Sequence, residues 1–118
     1  VVIFTLLCTH CVFDWLLQGR AAARLKLTHV WVRLMHCLCY TFGVGFVMSF
    51  VAVKNQQYVG CILPYILVTH FIFDTPAIKK WWVENVLMLT RDEPDWFWVG
   101  LDQSFHLVSL WPVVYFFC

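Results

Sequence analysis

A chain of 118 residues that is 62% hydrophobic and 13% charged, with a mean hydropathy of +0.76, stands far from the roughly 25% charged composition of soluble domains. That argues against an ordinary water-soluble globule, and a formal net charge of +1 leaves no basic footprint for nucleic acid. The length suits one domain over residues 1–118, and the expected class is all-α, an integral membrane bundle of about four transmembrane helices plus a short interfacial amphipathic helix.

The first apolar run, residues 1–18, is broken only by His10, Asp14 and the terminal Gln18, and is close to the roughly 20 residues that span a bilayer core. It is not read as a signal peptide, since no small-residue cleavage site stands out after it. Residues 19–26 read as a short basic loop carrying Arg20, Arg24 and Lys26. Thr28 is placed to cap a second span over 29–53. That span holds Arg33 and His36, and its Gly43 and Gly45 let a neighbouring helix approach closely. The polar turn Lys54-Asn55-Gln56-Gln57 precedes a third span over 58–75, in which Pro64 is expected to kink or loosen the helix.

Thr75-Pro76 marks a boundary, because proline suits the first turn of a new helix and disfavours helix in the residue before it. Over 77–90, Ile78, Trp81, Trp82, Val86 and Leu89 recur at near-helical spacing opposite Lys79, Lys80 and Glu84. This is the pattern of an interfacial amphipathic helix; a short helix folded under the bundle is the alternative. Residues 91–95 stop and restart the chain before a final span over 96–118.

Cys8, Cys11, Cys37, Cys39 and Cys61 lie in or beside apolar runs, where free cysteine behaves as a small buried hydrophobe. Cys8-Thr9-His10-Cys11 has the C-x2-C spacing but no second knuckle, so structural thiols are expected. The cations set the topology. Arg20, Arg24 and Lys26 fall in the first connection and Lys79, Lys80 and Arg91 in the third, against Lys54 on the opposite side. The positive-inside rule puts the first and third connections in the cytoplasm and both termini outside it.

Three histidine–aspartate pairs are spaced by four residues: His10 with Asp14, His70 with Asp74 and, in reverse order, Asp102 with His106. Residues four apart share one face of a helix. At about 1.5 Å of rise per residue, all three pairs fall in the cytoplasmic half of their spans, and His36 reaches a matching depth. Ionisable groups inside a membrane are costly and by default mark a site. Imidazole with carboxylate suits Zn, Fe or Mn, so His10, Asp14, His36, His70, Asp74, Asp102 and His106 are the expected ligands of a divalent transition metal. Asp14, Asp74 and Asp102 are also the expected catalytic groups, as metal ligand, as partner of a histidine N–H, or as general base toward an attacking water.

On the second span His29, Arg33, His36 and Tyr40 form one stripe. Arg33 is expected to pair with an aspartate or to hold an anionic substrate, and Lys79 to steer an anionic headgroup. Gln103 is expected to bind at the site or to a neighbouring helix, and Ser109 extends the Asp102–His106 stripe. Two other readings compete: polar pairs that only lock the bundle, and a haem with two axial histidines. A carboxylate one turn from each histidine argues against the haem.

The series of H-x3-D with Leu17-Gln18 after it, a histidine on the second span, H-F-x2-D with a following lysine, and D-Q-x2-H resembles a family of small bacterial and phage membrane proteins catalogued as a domain of unknown function. The matching residues are His10, Asp14, Gln18, His36, His70, Asp74, Lys79 or Lys80, Asp102, Gln103 and His106; Asp102-Gln103-Ser104-Phe105-His106 is the most specific piece. The resemblance implies a bacterial or phage membrane protein, with the inner (cytoplasmic) membrane as the expected location, and implies no activity. Membrane-embedded metal-dependent hydrolases also place H-x3-D on several helices, a likeness by analogy. The expected function is metal-assisted hydrolysis of a lipid-associated ester or phosphoester, with membrane lipid as partner. The alternative is a non-enzymatic membrane module that joins other membrane subunits.

Overall fold

The apolar runs fold as helices. In a computed structural model, residues 2–51, 58–89 and 93–117 are described. They form α1 (Val2–His10, continued by a π-helical turn over Cys11–Leu16), α2 (Arg20–Thr28), α3 (Val30–Val51), α4 (Val59–Phe73), α5 (Pro76–Asn85) and α6 (Asp95–Phe117), with no strand among the described residues. The polar turn at 54–57, and Arg91 and Asp92 of the polar restart, lie outside the described residues.

α1, α3, α4 and α6 enclose one apolar core built on Leu6, Tyr40, Val44, Met48, Ile62, Ile66, Leu110 and Val113. Two glycines of α3 set how closely its neighbours lie. A Cβ on Gly43 would run into the Phe13 ring, and one on Gly45 would come within 2.7 Å of Leu63. α4 continues as helix through Pro64.

Three local expectations change. Residues 19–26 are not a loop: α2 begins at Arg20, and Ala21-Ala22-Ala23-Arg24-Leu25-Lys26 is a run of strong helix formers. Thr28 closes α2 instead of capping α3, its hydroxyl donating to the Leu25 carbonyl at 3.3 Å. α5 stops at Asn85, short of residue 90, and the chain turns with Met88 at φ 54°. Its bundle-facing side also differs: Lys79 and Val83 are buried, whereas Trp81, Val86 and Leu89 are exposed. The reason is electrostatic, since the Lys79 ammonium pairs with Asp102 on α6.

By length and composition α3 is the one described helix that could cross a membrane alone. Up to three spans result if Val2–Leu16 with Ala21–Thr28, and Val59–Phe73 with Pro76–Asn85, each count as one broken span. The second of these pairs bends by 63° at Asp74-Thr75, where Thr75 is extended (ψ 119°) and Pro76 opens α5. This bend swings Lys79 toward α6.

Candidate metal centre

At one end of the apolar core, one turn beyond Leu6 and before Leu110, all six helices bring polar side chains together. His10 ends α1 and Asp14 sits on the π-helical turn, where Leu17 N–H reaches back to the Val12 carbonyl at 2.9 Å. Wide turns of this kind occur mostly at functional sites. α2 contributes Lys26, α3 His36 and Tyr40, α4 His70 with Asp74 just past its end, α5 Lys79, and α6 Asp102, Gln103 and His106. His10, Asp14, His70, Asp74 and His106 are each exposed by 2% or less. Buried charges persist only when paired or when they coordinate a metal, so their contacts must account for them.

Two carboxylates sit at the centre. Asp14 Oδ1 lies 3.0 Å from His36 Nε2, 3.6 Å from His70 Nε2 and 4.0 Å from Lys26 Nζ. Asp74 accepts from Lys26 Nζ at 2.8 Å and lies 3.5 Å from His106 Nε2, 3.6 Å from His36 Nε2 and 3.9 Å from His70 Nε2. Asp102 stands at the edge, paired with Lys79. Tyr40 stacks on the His70 ring with centroids 4.0 Å apart.

Hydrogen-bond partners fix which nitrogen each histidine presents. His106 Nδ1 lies 2.7 Å from the Asp102 carbonyl, which can only accept, so Nδ1 carries the proton. His106 Nε2 is buried and without a hydrogen bond, with Asp74 Oδ1 at 3.5 Å. Gln18 turns its amide nitrogen to the Asp14 carbonyl (3.2 Å) and its oxygen to Lys26 Nζ (3.1 Å) and His36 Nδ1 (3.2 Å). That makes His36 Nδ1 a donor and leaves its Nε2 facing Asp14 Oδ1 and, at 3.1 Å, His70 Nε2. With Nδ1 protonated, a neutral His36 and the Asp14 carboxylate meet as two acceptors at 3.0 Å, a contact that calls for a proton or a cation between them.

His10 differs. Gln103 donates to Asp14 Oδ2 (3.0 Å) and Asp102 Oδ2 (3.4 Å), so its oxygen accepts from His10 Nε2 at 2.9 Å. The Tyr40 hydroxyl donates to His10 Nδ1 at 3.0 Å. Both His10 nitrogens are thereby used, and the ring orients Gln103, which holds two of the aspartates.

Three overlapping sets of donor atoms lie within 4.8 Å of one another: Asp14, His70 and His106; His36, His70 and Asp74; and Asp74, Asp102 and His106. Six of the seven expected ligands thus converge, and His10 stands behind them. Gln103 bridges Asp14 and Asp102 as described, and Lys79 lies at the cluster's edge. Arg33 is turned away from the site: its guanidinium donates to the carbonyls of Lys26 (3.0 Å) and Leu27 (3.4 Å) and to Thr75 Oγ1 (3.1 Å), tying the end of α2 to the α4–α5 bend. Orphan carbonyls at the end of α2 attract it there. His29 is exposed and bonded to Thr28. Cys8, Cys11, Cys37, Cys39 and Cys61 are free; Cys37 alone among them is buried, its Sγ 3.9 Å from Asp74 Oδ2. Sequence reasoning missed Lys26 as a member of the site. The Ala-rich helix signal of residues 21–26 could have put it on a helix face, where a lysine can turn inward.

The fold and site define an all-helical protein whose core ends in a buried cluster of histidine, aspartate and lysine able to accept a cation. The chain belongs to the family described as protein of unknown function (DUF3307), whose family model matches residues 2–118. No curated protein and no solved structure matches the chain significantly.

Proposed function

We propose that this chain is an integral membrane protein of about four spans, whose cluster binds a divalent transition metal and hydrolyses an ester or phosphoester of a membrane lipid. The observation that carries the metal is His106 Nε2, a buried nitrogen without a hydrogen bond, grouped within ligand distance with Asp14 and His70 and with Asp74 and Asp102, while His36 joins His70 and Asp74. Imidazole and carboxylate donors suit Zn, Fe or Mn. A haem fits poorly, because Asp14 Oδ1 sits beside the facing nitrogens of His36 and His70, where a macrocycle would have to lie.

The membrane reading rests on an inside-out distribution of polarity. Trp31, Met35, Phe42, Phe46 and Phe50 of α3 are exposed, as are Leu107, Val108, Trp111 and Tyr115 of α6, while Asp14, Lys26, Asp74 and Lys79 are buried at one end of the core. Exposed apolar surface on this scale marks a contact with lipid or protein. The long axis of 47 Å is close to the roughly 40–45 Å of a bilayer with its headgroups.

A bound ion would supply Lewis acidity and favour ionisation of water. The chain's own groups do the rest. Asp14 and Asp74 are the bases that can accept a proton from the attacking water. Lys26 and Lys79 offset charge on the carboxylates and on an anionic leaving group. Elemental analysis of detergent-purified protein tests this: stoichiometric Zn, Fe or Mn is expected, lost in His70→Ala, and its absence from the wild-type protein refutes the reading.

One observation favours a second, non-enzymatic reading, in which the network only locks a module or a subunit of a membrane assembly. Lys26 with Asp74 and Lys79 with Asp102 are already paired within the chain. If His70→Ala and Asp102→Asn lose function only in proportion to lost folding, the network is structural. A folded, inactive variant favours chemistry.

A further inference from the structure

Beside the cluster, between the π-helical turn, α2, α5 and α6, lies a cavity of about 810 Å³, within the ~300–1,000 Å³ range of small-molecule sites. Its walls are mainly apolar, with Trp15, Leu27, Trp98 and Val99, and its lining also carries Lys26, Lys79 and Lys80 against the single carboxylate of Asp102. An apolar sleeve with three ammonium groups in its lining, two of them held by Asp74 and Asp102 and the third the exposed Lys80, fits an amphiphile with an anionic head. It does not suit a small inorganic anion, which would gain nothing from two indoles and aliphatic walls.

Lys79 is buried with its ammonium on Asp102, and Lys80 beside it is exposed. Asp102 is the least buried of the three cluster aspartates, at 16% side-chain exposure. While Lys79 holds one of its oxygens, Asp102 is a compromised ligand for the set it forms with Asp74 and His106.

We infer that this cavity seats an anionic, phosphate-bearing membrane lipid, and that its headgroup draws Lys79 off Asp102 and so completes the Asp74–Asp102–His106 set. The inference deepens the proposed function and rests on it for the role of the released Asp102; the seating of the lipid stands on the cavity alone. Charge-assisted contacts to phosphate from Lys79 and Lys80 replace the Lys79–Asp102 pair. Headgroup binding and metal binding are then thermodynamically linked, and each strengthens the other.

The test uses the full chain in a neutral detergent, first with metal chelated. Dodecyl phosphate, dodecanol and inorganic phosphate are titrated while tryptophan fluorescence is read, since Trp15 and Trp98 line the cavity. Saturable binding of dodecyl phosphate is expected, with the other two weaker by about tenfold or more. Lys79→Met should weaken dodecyl phosphate by a similar factor, and the exposed Lys80→Met, which is expected to leave folding intact, by several-fold. Inorganic phosphate binding as tightly as dodecyl phosphate, or no change in both lysine variants, overturns the lipid seat. Zinc is then titrated with and without saturating dodecyl phosphate. Tighter zinc binding with the amphiphile, and loss of that gain in Lys79→Met, is expected; an unchanged zinc affinity in the wild-type protein overturns the Lys79 switch. Absence of any zinc binding would refute the metal reading, while the chelated titration still decides the lipid seat.

Discussion

Replacing Lys26 with methionine keeps a long apolar stem and deletes the ammonium at the centre of the cluster. Lys26 Nζ lies 2.8 Å from Asp74 Oδ1 and 4.0 Å from Asp14 Oδ1, and Asp74 is 0% exposed. Removing one partner of a buried ion pair costs about 3–5 kcal/mol, because the other charge is left uncompensated in a poorly solvated place. An unfolding entropy of about 2.1 cal/mol/K per residue over 118 residues gives about 0.25 kcal/mol/K, so Tm should fall by about 12–20 °C. The double variant Lys26→Met/Asp74→Asn should recover most of that loss, since it also removes the stranded charge. Saturating zinc should shrink the loss in Lys26→Met, because an ion ligated by Asp74 replaces the missing positive charge. Thermal unfolding followed by circular dichroism, with and without zinc, reads all three. A fall of less than about 3 °C, or strict additivity in the double variant, refutes the pairing argument; a loss untouched by zinc refutes Asp74 as a ligand.

The hydrogen-bond assignments rank the histidines. His10→Ala should weaken zinc binding by about 10–100-fold, the usual cost of losing an orienting partner, while His106→Ala, which removes a nitrogen within the ligand sets, should cost more. Competition against a chromophoric chelator measures both, and equal losses or the reverse order would sink the assignments. In the packing, Gly43→Ala should destabilise by about 1–3 kcal/mol as its Cβ meets the Phe13 ring. Gly100→Ala, with open space around its Cβ, should instead stabilise by up to about 1 kcal/mol. Thermal unfolding compares the two, and equal effects would show that α3 and the π-helical turn do not touch there.

Helical periodicity made the ligand set legible, because His10/Asp14, His70/Asp74 and Asp102/His106 each occupy one helix face whatever the tertiary arrangement. The separation of roles within that set was not legible. His10 is withdrawn from ligation by Tyr40 and Gln103, which lie 30 and 93 residues away, and no local pattern reports such partners. Arg33 reads as an anion binder because a charge inside a span needs a partner. Its partners are the carbonyls that end α2, and they became visible only once residues 19–26 were known to be helical. For the same reason Lys26 reads as part of a cytoplasmic loop, whereas it is a counter-ion of Asp74.

This last point bears on topology and on the number of spans. Lys26 and Lys79 were counted among the cations that orient the chain, yet both are neutralised inside the cluster, so the positive-inside argument now rests on Arg20, Arg24, Lys80 and Arg91 against Lys54. The asymmetry survives with a smaller margin. α6, 23 residues long, is not among the helices apolar enough to cross a membrane alone, because Asp102, Gln103 and His106 lower its mean hydropathy although they occupy only part of its circumference. Its Asp102, Gln103 and His106 point into the cluster, while Leu107, Val108, Trp111 and Tyr115 point outward. A helix that hides its polar groups against partners and shows lipid only its apolar face meets the energetic requirement for spanning, and the proposed fourth span rests on that outward face.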